Sequence, residues 1–189
     1  MSSKLLVFGL GNPGNKFSST KHNMGYWVID RLANMESINI SNGKQDYIYG
    51  ENDSLILIKP TTYMNNSGVA VAQATTDFSS SKVLVTYDDI DLPLGSIRYR
   101  SEGGDGGHRG VESMIYHLNS ERFDRLRLGI ATSDKMRPSE EYVLKPFKRK
   151  YDSVVNDVLD YAAQSVSYYQ NHSISETMNK FNSMKRENE

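Results

Sequence analysis

The stretch KLLVFGLGNPG (residues 4–14) opens with a short apolar run and ends in a turn that is rich in glycine. An apolar run of this length, bounded by Gly and Pro, is typical of a buried strand that leads into a loop. Apolar side chains then recur at helical spacing over residues 24–35, which predicts a helix. Strand, loop and helix in this order form the repeating unit of an α/β layered fold.

The rest of the chain continues this alternation of strands and helices. Strands are predicted over residues 46–51, 54–59, 82–86, 96–100 and 125–131, and helices over residues 69–74, 111–118 and 151–169. The turn pair Asn52-Asp53 favours a hairpin between the first two of these strands, so the sheet is expected to be mixed. We therefore expect an α/β fold: a single-domain, three-layer α/β/α structure over residues 1–183 with a mixed, mostly parallel central sheet. A polar tail is expected at residues 184–189.

Composition and charge limit the possible chemistry. The 189 residues include no cysteine, which excludes a disulfide framework, thiolate metal ligands and a thiol nucleophile. The N-terminal apolar run is too short for a signal peptide or a membrane span, so we expect a cytoplasmic protein without a membrane partner. The formal net charge is −1, but residues 98–150 hold 12 Lys and Arg against 8 Asp and Glu. This local excess of positive charge favours an anionic partner there.

Five polar motifs lie near the predicted strand ends and helix starts: GLGNPG (9–14), TKHNMG (20–25), PTTYMNNSG (60–68), DDIDLP (88–93) and GGDGGHRG (103–110). Each of them has an ordinary structural explanation. A glycine turn redirects the chain, a single histidine is often structural, and Asn and Ser cap helices. An acidic group after a strand can bind Mg²⁺, and glycine repeats can form a flexible loop. Only the combination indicates one function.

In this order and spacing the motifs resemble the bacterial-type peptidyl-tRNA hydrolases, and the resemblance covers nearly the whole chain. The segments FDRLRLGI (123–130) and YVL (142–144) are similar to the same family. The resemblance implies hydrolysis of the ester that joins a peptide to the ribose of the terminal adenosine of tRNA. It also implies a monomer that acts on peptidyl-tRNA and uses neither a metal nor another cofactor.

The resemblance assigns catalytic roles to His22, Asp88 and Asn12. A neutral imidazole titrates near physiological pH and can take a proton from water, so we expect His22 to be the general base. Asp88 is expected to accept a hydrogen bond from His22 and to fix its tautomer. Asn12 and Asn65 match asparagines whose amide groups stabilise the negative charge on the ester carbonyl. Asn12 is also expected to read the last peptide bond of the substrate.

Other matched positions imply contacts with tRNA. Phe17 and Tyr63 match aromatic residues at the site for the tRNA 3′ end, where a base can stack on a ring. Arg100 and Arg127 match a basic pair that grips the phosphate at the 5′ end. The remaining expected contacts are Asn23, His108 and Arg109.

Two of these positions differ from the usual pattern of the family. Phe17 stands where tyrosine is usual, which removes a hydroxyl group, and Arg109 stands where asparagine is usual. Arginine cannot accept a hydrogen bond as an amide does, although its charge can hold a phosphate. The sequence leaves open whether Arg109 adjusts or impairs the activity.

Three alternative functions are consistent with parts of the sequence. Arg109 would suit a relative that binds RNA without catalysis. A glycine fingerprint at residues 9–14 is compatible with a nicotinamide-dependent oxidoreductase, but Pro13 removes an amide donor from that loop and no strand ending in an acid follows at the expected distance. A metal-dependent phosphatase or nuclease would use Asp88, Asp89, Asp91 and His108.

Overall fold

The apolar run at the start of the chain forms β1 (Leu5–Gly9), which is buried along its whole length at the centre of the sheet. The computed structural model describes residues 4–78 and 82–182. On either side of β1 lie β4 (Leu55–Pro60) and β5 (Lys82–Pro93), and both run parallel to it. The first quoted segment of the sequence therefore provides the core strand of the fold.

Four further strands complete the sheet within the described residues: β2 (Asn42–Lys44), β3 (Tyr47–Glu51), β6 (Ile97–Arg100) and β7 (Asp124–Ala131). The strand order is β2-β3-β4-β1-β5-β7-β6. β7 is parallel to β5, whereas β2, β3 and β6 each pair antiparallel with a neighbour. The prediction of a mixed, mostly parallel sheet with a hairpin near residue 50 is confirmed.

Helices surround this sheet. The α-helices of the described residues are α1 (Met24–Met35), α2 (Ser67–Asp77), α3 (Arg109–Leu118), α4 (Ser139–Val143), α5 (Asp152–Gln170) and α6 (Ile174–Phe181). Short 3-10 helices, Lys21–Asn23, Met64–Asn66 and Arg149–Tyr151, directly precede α1, α2 and α5. No helix within residues 4–78 and 82–182 has the length and apolar character that a membrane crossing needs.

Each face of the sheet has its own core. Successive side chains of a strand point to opposite faces, and β1 accordingly contributes to both. Leu5 and Val7 belong to a buried cluster with residues of α1, α5 and α6. Leu6 and Phe8 belong to a second buried cluster with residues of α2 and α3. The predicted three-layer α/β/α architecture is therefore confirmed.

The structure corrects several predicted boundaries. β5 was expected to end at Thr86, but it continues to Pro93, so the acidic group lies inside the strand. A strand tolerates these buried acids because cationic or proton-donating side chains face Asp88 and Asp89. α3 begins at Arg109, two residues earlier than predicted, and β2 and α6 were not predicted at all. The tail expected at residues 184–189 lies outside the described residues.

The glycines of the first motif let α1 lie close to the sheet. A Cβ atom at Gly9 would stand 2.3 Å from the main-chain oxygen of Gly25, and one at Gly25 would stand 2.4 Å from the main-chain oxygen of Thr86. Any larger residue would therefore push α1 away from β1 and β5. This packing accounts for the glycines without a dinucleotide ligand.

Candidate active site

His22 lies in the 3-10 turn Lys21–Asn23, between the loop after β1 and the start of α1. The residue is 9% exposed. Its Nδ1 lies 2.9 Å from Oδ1 and 3.0 Å from Oδ2 of Asp88. The carboxyl ends of parallel strands share one edge of a sheet, which is why a residue after β1 meets a residue of β5. The expected pairing of His22 with Asp88 is present.

Asp88 is almost completely buried, at 2% exposure, and serves two imidazoles. Besides His22, its Oδ1 accepts from Nε2 of His108 at 3.1 Å. Burial alone would raise the pKa of the Asp88 carboxyl, but the two histidines outweigh burial and hold this pKa well below its usual range. Asp88 is therefore a carboxylate that only accepts hydrogen bonds.

His108 has its tautomer fixed by the helix that it caps. It is the N-cap residue of α3, and its Nδ1 accepts from the main-chain N–H groups of Gly110 and Val111 at 3.2 and 3.3 Å. A neutral imidazole has one donor and one acceptor nitrogen, so the proton of His108 is on Nε2 and points at Asp88. His108 is thus a hydrogen-bond donor to the carboxylate.

The same network determines the tautomer of His22. Since Asp88 only accepts, Nδ1 of His22 carries the proton of that bond, and Nε2 of the neutral ring holds a lone pair. Burial would lower the pKa of His22, but the charge of Asp88 and its hydrogen bond raise the pKa above its usual value. His22 is therefore a stronger base than a free histidine, oriented by a carboxylate.

Asn12 is held from two sides. Its main-chain N–H donates to Oδ1 of Asn23 at 2.8 Å, and its carbonyl accepts from Nδ2 of Asn23 at 3.0 Å. Its own Oδ1 accepts from the main-chain N–H of Met64 at 2.8 Å. Among residues 4–78 and 82–182, no group accepts from Nδ2 of Asn12, so this amide is left as a donor at the cleft that Asn12 lines.

Asn23 lies behind Asn12 and not on the cleft. It is 2% exposed, and both ends of its amide group are bonded to the main chain of Asn12. A direct contact with tRNA, as expected from the sequence, would have to break these buried bonds. The structure thus places Asn23 as a support for Asn12.

A cleft of ≈ 950 Å³ opens above the His22–Asp88 pair. It contains the expected site residues Asn12, His22, Asn65, Asp88, Arg100, His108, Arg109 and Arg127. The glycine-rich loop, residues 103–107, forms one border, and Val143 and Leu144 form part of another. Residues from segments that are distant in sequence therefore meet around one imidazole.

Arg125 of β7 holds the glycine-rich loop in place. Arg125 is 2% exposed, and its guanidinium donates to the main-chain oxygens of Gly103, Gly104 and Glu121. The sequence reasoning missed Arg125, whose only signal was its alternation with Arg127 on the same strand. A buried guanidinium with several carbonyl acceptors can fix a loop that glycine leaves without side-chain contacts.

Arg127 and Arg100 reach the cleft as expected. Arg127 Nη2 lies 2.5 Å from Oδ2 of Asp89, so the guanidinium is oriented by a carboxylate that is 8% exposed. Burial lowers the pKa of Arg100, and the positive charges of Arg98 and Arg127 lower it further. The sequence analysis treated Asp89 only as a metal ligand and missed its pairing with Arg127.

The aromatic pair and Arg109 lie further out. The rings of Phe17 and Tyr63 meet edge to face with centroids 6.1 Å apart, and Tyr63 is 59% exposed. Neither residue lines the cleft itself. Arg109 lies at the cleft border, where its Nη1 is 3.1 Å from Oε2 of Glu112 on the surface.

One group of the described residues could surround a metal ion, namely His22, Asp88 and His108. This is not the set predicted for a metal enzyme, because Asp89 pairs with Arg127 and Asp91 is exposed. A metal ligand must offer a lone pair, whereas Nε2 of His108 carries a proton directed at Asp88. These three residues therefore suit two histidines that donate to one carboxylate better than they suit a metal ion.

An imidazole held by a buried carboxylate at an open cleft is typical of hydrolases. The chain matches the Peptidyl-tRNA hydrolase family over residues 6–189, and it belongs to this family. It is 40% identical over 184 residues to a peptidyl-tRNA hydrolase of Oceanobacillus iheyensis. The alignment covers 94% of this chain and 98% of the relative. It is 39% identical over 183 residues to one of Shouchella clausii, which covers 94% and 99%.

The fold agrees with solved structures of the same family. The crystal structure of peptidyl-tRNA hydrolase from Acinetobacter baumannii is similar with a TM-score of 0.87 and 32% sequence identity. The similarity covers 98% of this chain and 97% of that one. The resemblance read from the five motifs is therefore confirmed.

Proposed function

We propose that this protein hydrolyses the ester bond of peptidyl-tRNA, with His22 as the base that activates the attacking water. Membership of the peptidyl-tRNA hydrolase family supports the reaction and the tRNA substrate. The observation that carries the assignment of the base is the hydrogen-bond chain from His108 through Asp88 to His22. These hydrogen bonds leave Nε2 of His22 with a lone pair at the cleft.

The reaction starts when Nε2 of His22 takes a proton from a water molecule and the water oxygen bonds to the ester carbonyl carbon. The imidazolium that forms is stabilised by the Asp88 carboxylate. The tetrahedral intermediate then breaks its bond to the ribose oxygen, which receives the proton from His22. The products are a tRNA with a free hydroxyl group and a peptide with a free carboxylic acid, which releases its proton to solvent at neutral pH.

The amide groups of Asn12 and Asn65 stabilise the negative charge of the intermediate in this proposal. Asn12 suits the role best, because its Oδ1 is already bonded to Met64 and its Nδ2 is left to donate. Preorganised donors of this kind contribute about 10²–10³-fold to kcat. Asn23 acts indirectly, by holding the main chain of Asn12 in place.

Contacts with tRNA are proposed for the outer part of the cleft. Arg100 and Arg127 are suited to a phosphate group, because guanidinium forms paired hydrogen bonds with phosphate oxygens. Phe17 and Tyr63 form an aromatic pair, of which Tyr63 is exposed, and the base of the tRNA 3′ end can stack on it. Arg109 could leave Glu112 to contact the acceptor end. His108 supports the carboxylate and borders the substrate.

Two features favour the hydrolase over the alternative functions. A relative that only binds RNA would not need a buried carboxylate to hold a base, so the His22–Asp88 pair favours catalysis. A metal enzyme would need lone pairs on both histidines, and the cap of α3 removes that of His108 Nε2. We therefore propose that the activity needs neither a metal nor another cofactor.

The place of action and the assembly are also proposals. We propose a cytoplasmic protein, because peptidyl-tRNA arises where proteins are synthesised. We propose a monomer, as the resemblance to the family implies. Analytical ultracentrifugation at assay concentrations tests the second point, and a dimer of full activity would contradict it.

The function is tested with N-acetyl-aminoacyl-tRNA as substrate, in the presence and absence of EDTA. We expect release of the acetylated amino acid at the same rate in both, and no release from aminoacyl-tRNA with a free amino group. His22→Ala is expected to remove turnover and to melt within a few degrees of the wild type. Loss of wild-type activity with EDTA, or full turnover by His22→Ala, would contradict the proposed mechanism.

A further inference from the structure

Lys21 is a buried cation that the proposed mechanism does not use. The residue is 5% exposed, and its Nζ lies 4.2 Å from the ring centroid of Tyr142 and 5.2 Å from that of Phe147. Burial lowers the pKa of the Lys21 ammonium, and the charge of Asp134 offsets part of this effect. A buried ammonium is costly unless hydrogen bonds replace its water, so its partners indicate what it holds.

All hydrogen-bond acceptors of the Lys21 ammonium lie in one segment, residues 142–146, which we call the wall segment. Nζ donates to the main-chain oxygens of Tyr142, Lys145 and Pro146 at 3.3, 3.1 and 2.9 Å. The main-chain N–H of Lys21 adds a bond to the oxygen of Lys145 at 3.2 Å. Since an ammonium has three donors, all the donors of the Lys21 ammonium bond to the wall segment.

The wall segment is an apolar side of the cleft. Val143 and Leu144 line the cleft, and Leu144 is 44% exposed despite its apolar side chain. The start of the segment is fixed to β7, because the hydroxyl of Tyr142 donates to the main-chain oxygen of Ile130 at 2.7 Å. Lys21 fixes the remainder, and it is the chain neighbour of His22. It thus connects the proposed base to the wall segment.

We propose that Lys21 is a positioning residue that sets the wall segment at the distance from His22 that the ester requires. This inference rests on the proposed function. The rate of an oriented reaction is sensitive to placement, and a displacement of about 1 Å can cost about 10²-fold. The guanidinium groups proposed to bind tRNA do not contact Lys21. Loss of the ammonium therefore lowers kcat more than it raises KM.

The variant Lys21→Met removes the charge and the three hydrogen bonds but keeps an unbranched side chain of similar length. Lys21→Arg keeps a cation with several donors. A matched control is Lys82→Met, because Nζ of Lys82 donates to the main-chain oxygens of Tyr169 and His172 at 2.6 and 2.9 Å, away from the cleft. Lys82→Met thus also removes hydrogen bonds from an ammonium to main-chain oxygens, but it leaves the wall segment unchanged.

Each variant is assayed with N-acetyl-aminoacyl-tRNA well below its melting temperature, and kcat and KM are determined separately. We expect Lys21→Met to lose at least about tenfold in kcat with KM changed by less than about threefold. Lys21→Arg should recover most of kcat, and Lys82→Met should keep kcat although it melts at a lower temperature.

Wild-type kcat in folded Lys21→Met would overturn the proposal, and so would an equal loss of kcat in Lys82→Met. If Lys21→Met does not fold, Lys21→Gln decides the question, because its amide can donate to only two of the carbonyls. Unchanged kcat in that variant would also overturn the proposal. A wild-type protein that does not cleave the substrate would instead refute the proposed function itself.

Discussion

Replacing Asp88 with asparagine would keep the size of the side chain and remove its charge. His108 constrains the result, because its Nδ1 is occupied by the N–H groups of Gly110 and Val111 and its Nε2 must donate. The oxygen of the new amide therefore stays toward His108. Its nitrogen then takes the place of Oδ2, 3.0 Å from Nδ1 of His22, while its oxygen stays 2.9 Å from the same atom and is shared with His108. The new N–H donor opposes the proton on Nδ1 of His22 and favours the tautomer with the proton on Nε2, which cannot accept a proton from water, and only a neutral, shared oxygen is left to hold the productive tautomer.

The expected magnitude combines the wrong tautomer with the lost stabilisation of the imidazolium. Substitution of the carboxylate by an amide in a histidine–aspartate pair of a catalytic triad costs about 10⁴-fold in kcat. We expect kcat of Asp88→Asn to fall about 10³–10⁴-fold, which corresponds to about 4–5.5 kcal/mol of activation free energy. KM should change little, since the proposed tRNA contacts are intact.

The assay is release of acetylated amino acid from N-acetyl-aminoacyl-tRNA, in steady state and in single turnover with excess enzyme. Single turnover separates the chemical step from product release. Asp91→Asn is the matched control, because Asp91 is an exposed acid of the same strand that also lines the cleft. A folded Asp88→Asn enzyme whose kcat remains within tenfold of the wild type would refute the role of the tautomer.

Three further predictions follow from the geometry. The base must be neutral to accept a proton, and the pKa of His22 is raised. We therefore expect kcat to increase with pH through a midpoint above about 6.5. A midpoint below that value would contradict the pairing of His22 with Asp88. Arg127→Ala should raise KM and lower the slope of log KM against log salt concentration by about 0.7–0.9. An unchanged slope would argue against a phosphate contact. Gly68→Ala should lower the melting temperature, since its Cβ would stand 2.1 Å from the main-chain oxygen of Ser113, at a cost of about 1–3 kcal/mol. Gly104→Ala, where a Cβ meets nothing within 4 Å, should melt like the wild type, and equal melting of both glycine variants would refute the packing argument.

Much of the fold was predictable because it depends on local patterns. The apolar run at the start of β1 and the helical spacing of residues 24–35 each identify an element without reference to the rest of the chain. The polar turn at Asn52-Asp53 likewise predicted the hairpin of β3 and β4. β2 was missed because three residues of strand carry little local signal. α6 was missed although it has one, since Ser173 and Glu176 form a capping box at its start.

The family and the candidate pair of His22 and Asp88 can be recognised from the sequence, because five motifs stand in a fixed order along the chain. The roles of the neighbouring residues become clear from the tertiary structure. The proton of His108 is assigned by the amides of α3, Asn23 proves to be a support, and Arg125 proves to hold the glycine-rich loop. These roles depend on hydrogen bonds between segments that are distant in sequence, and the direction of such bonds is set only when the strands and helices have packed.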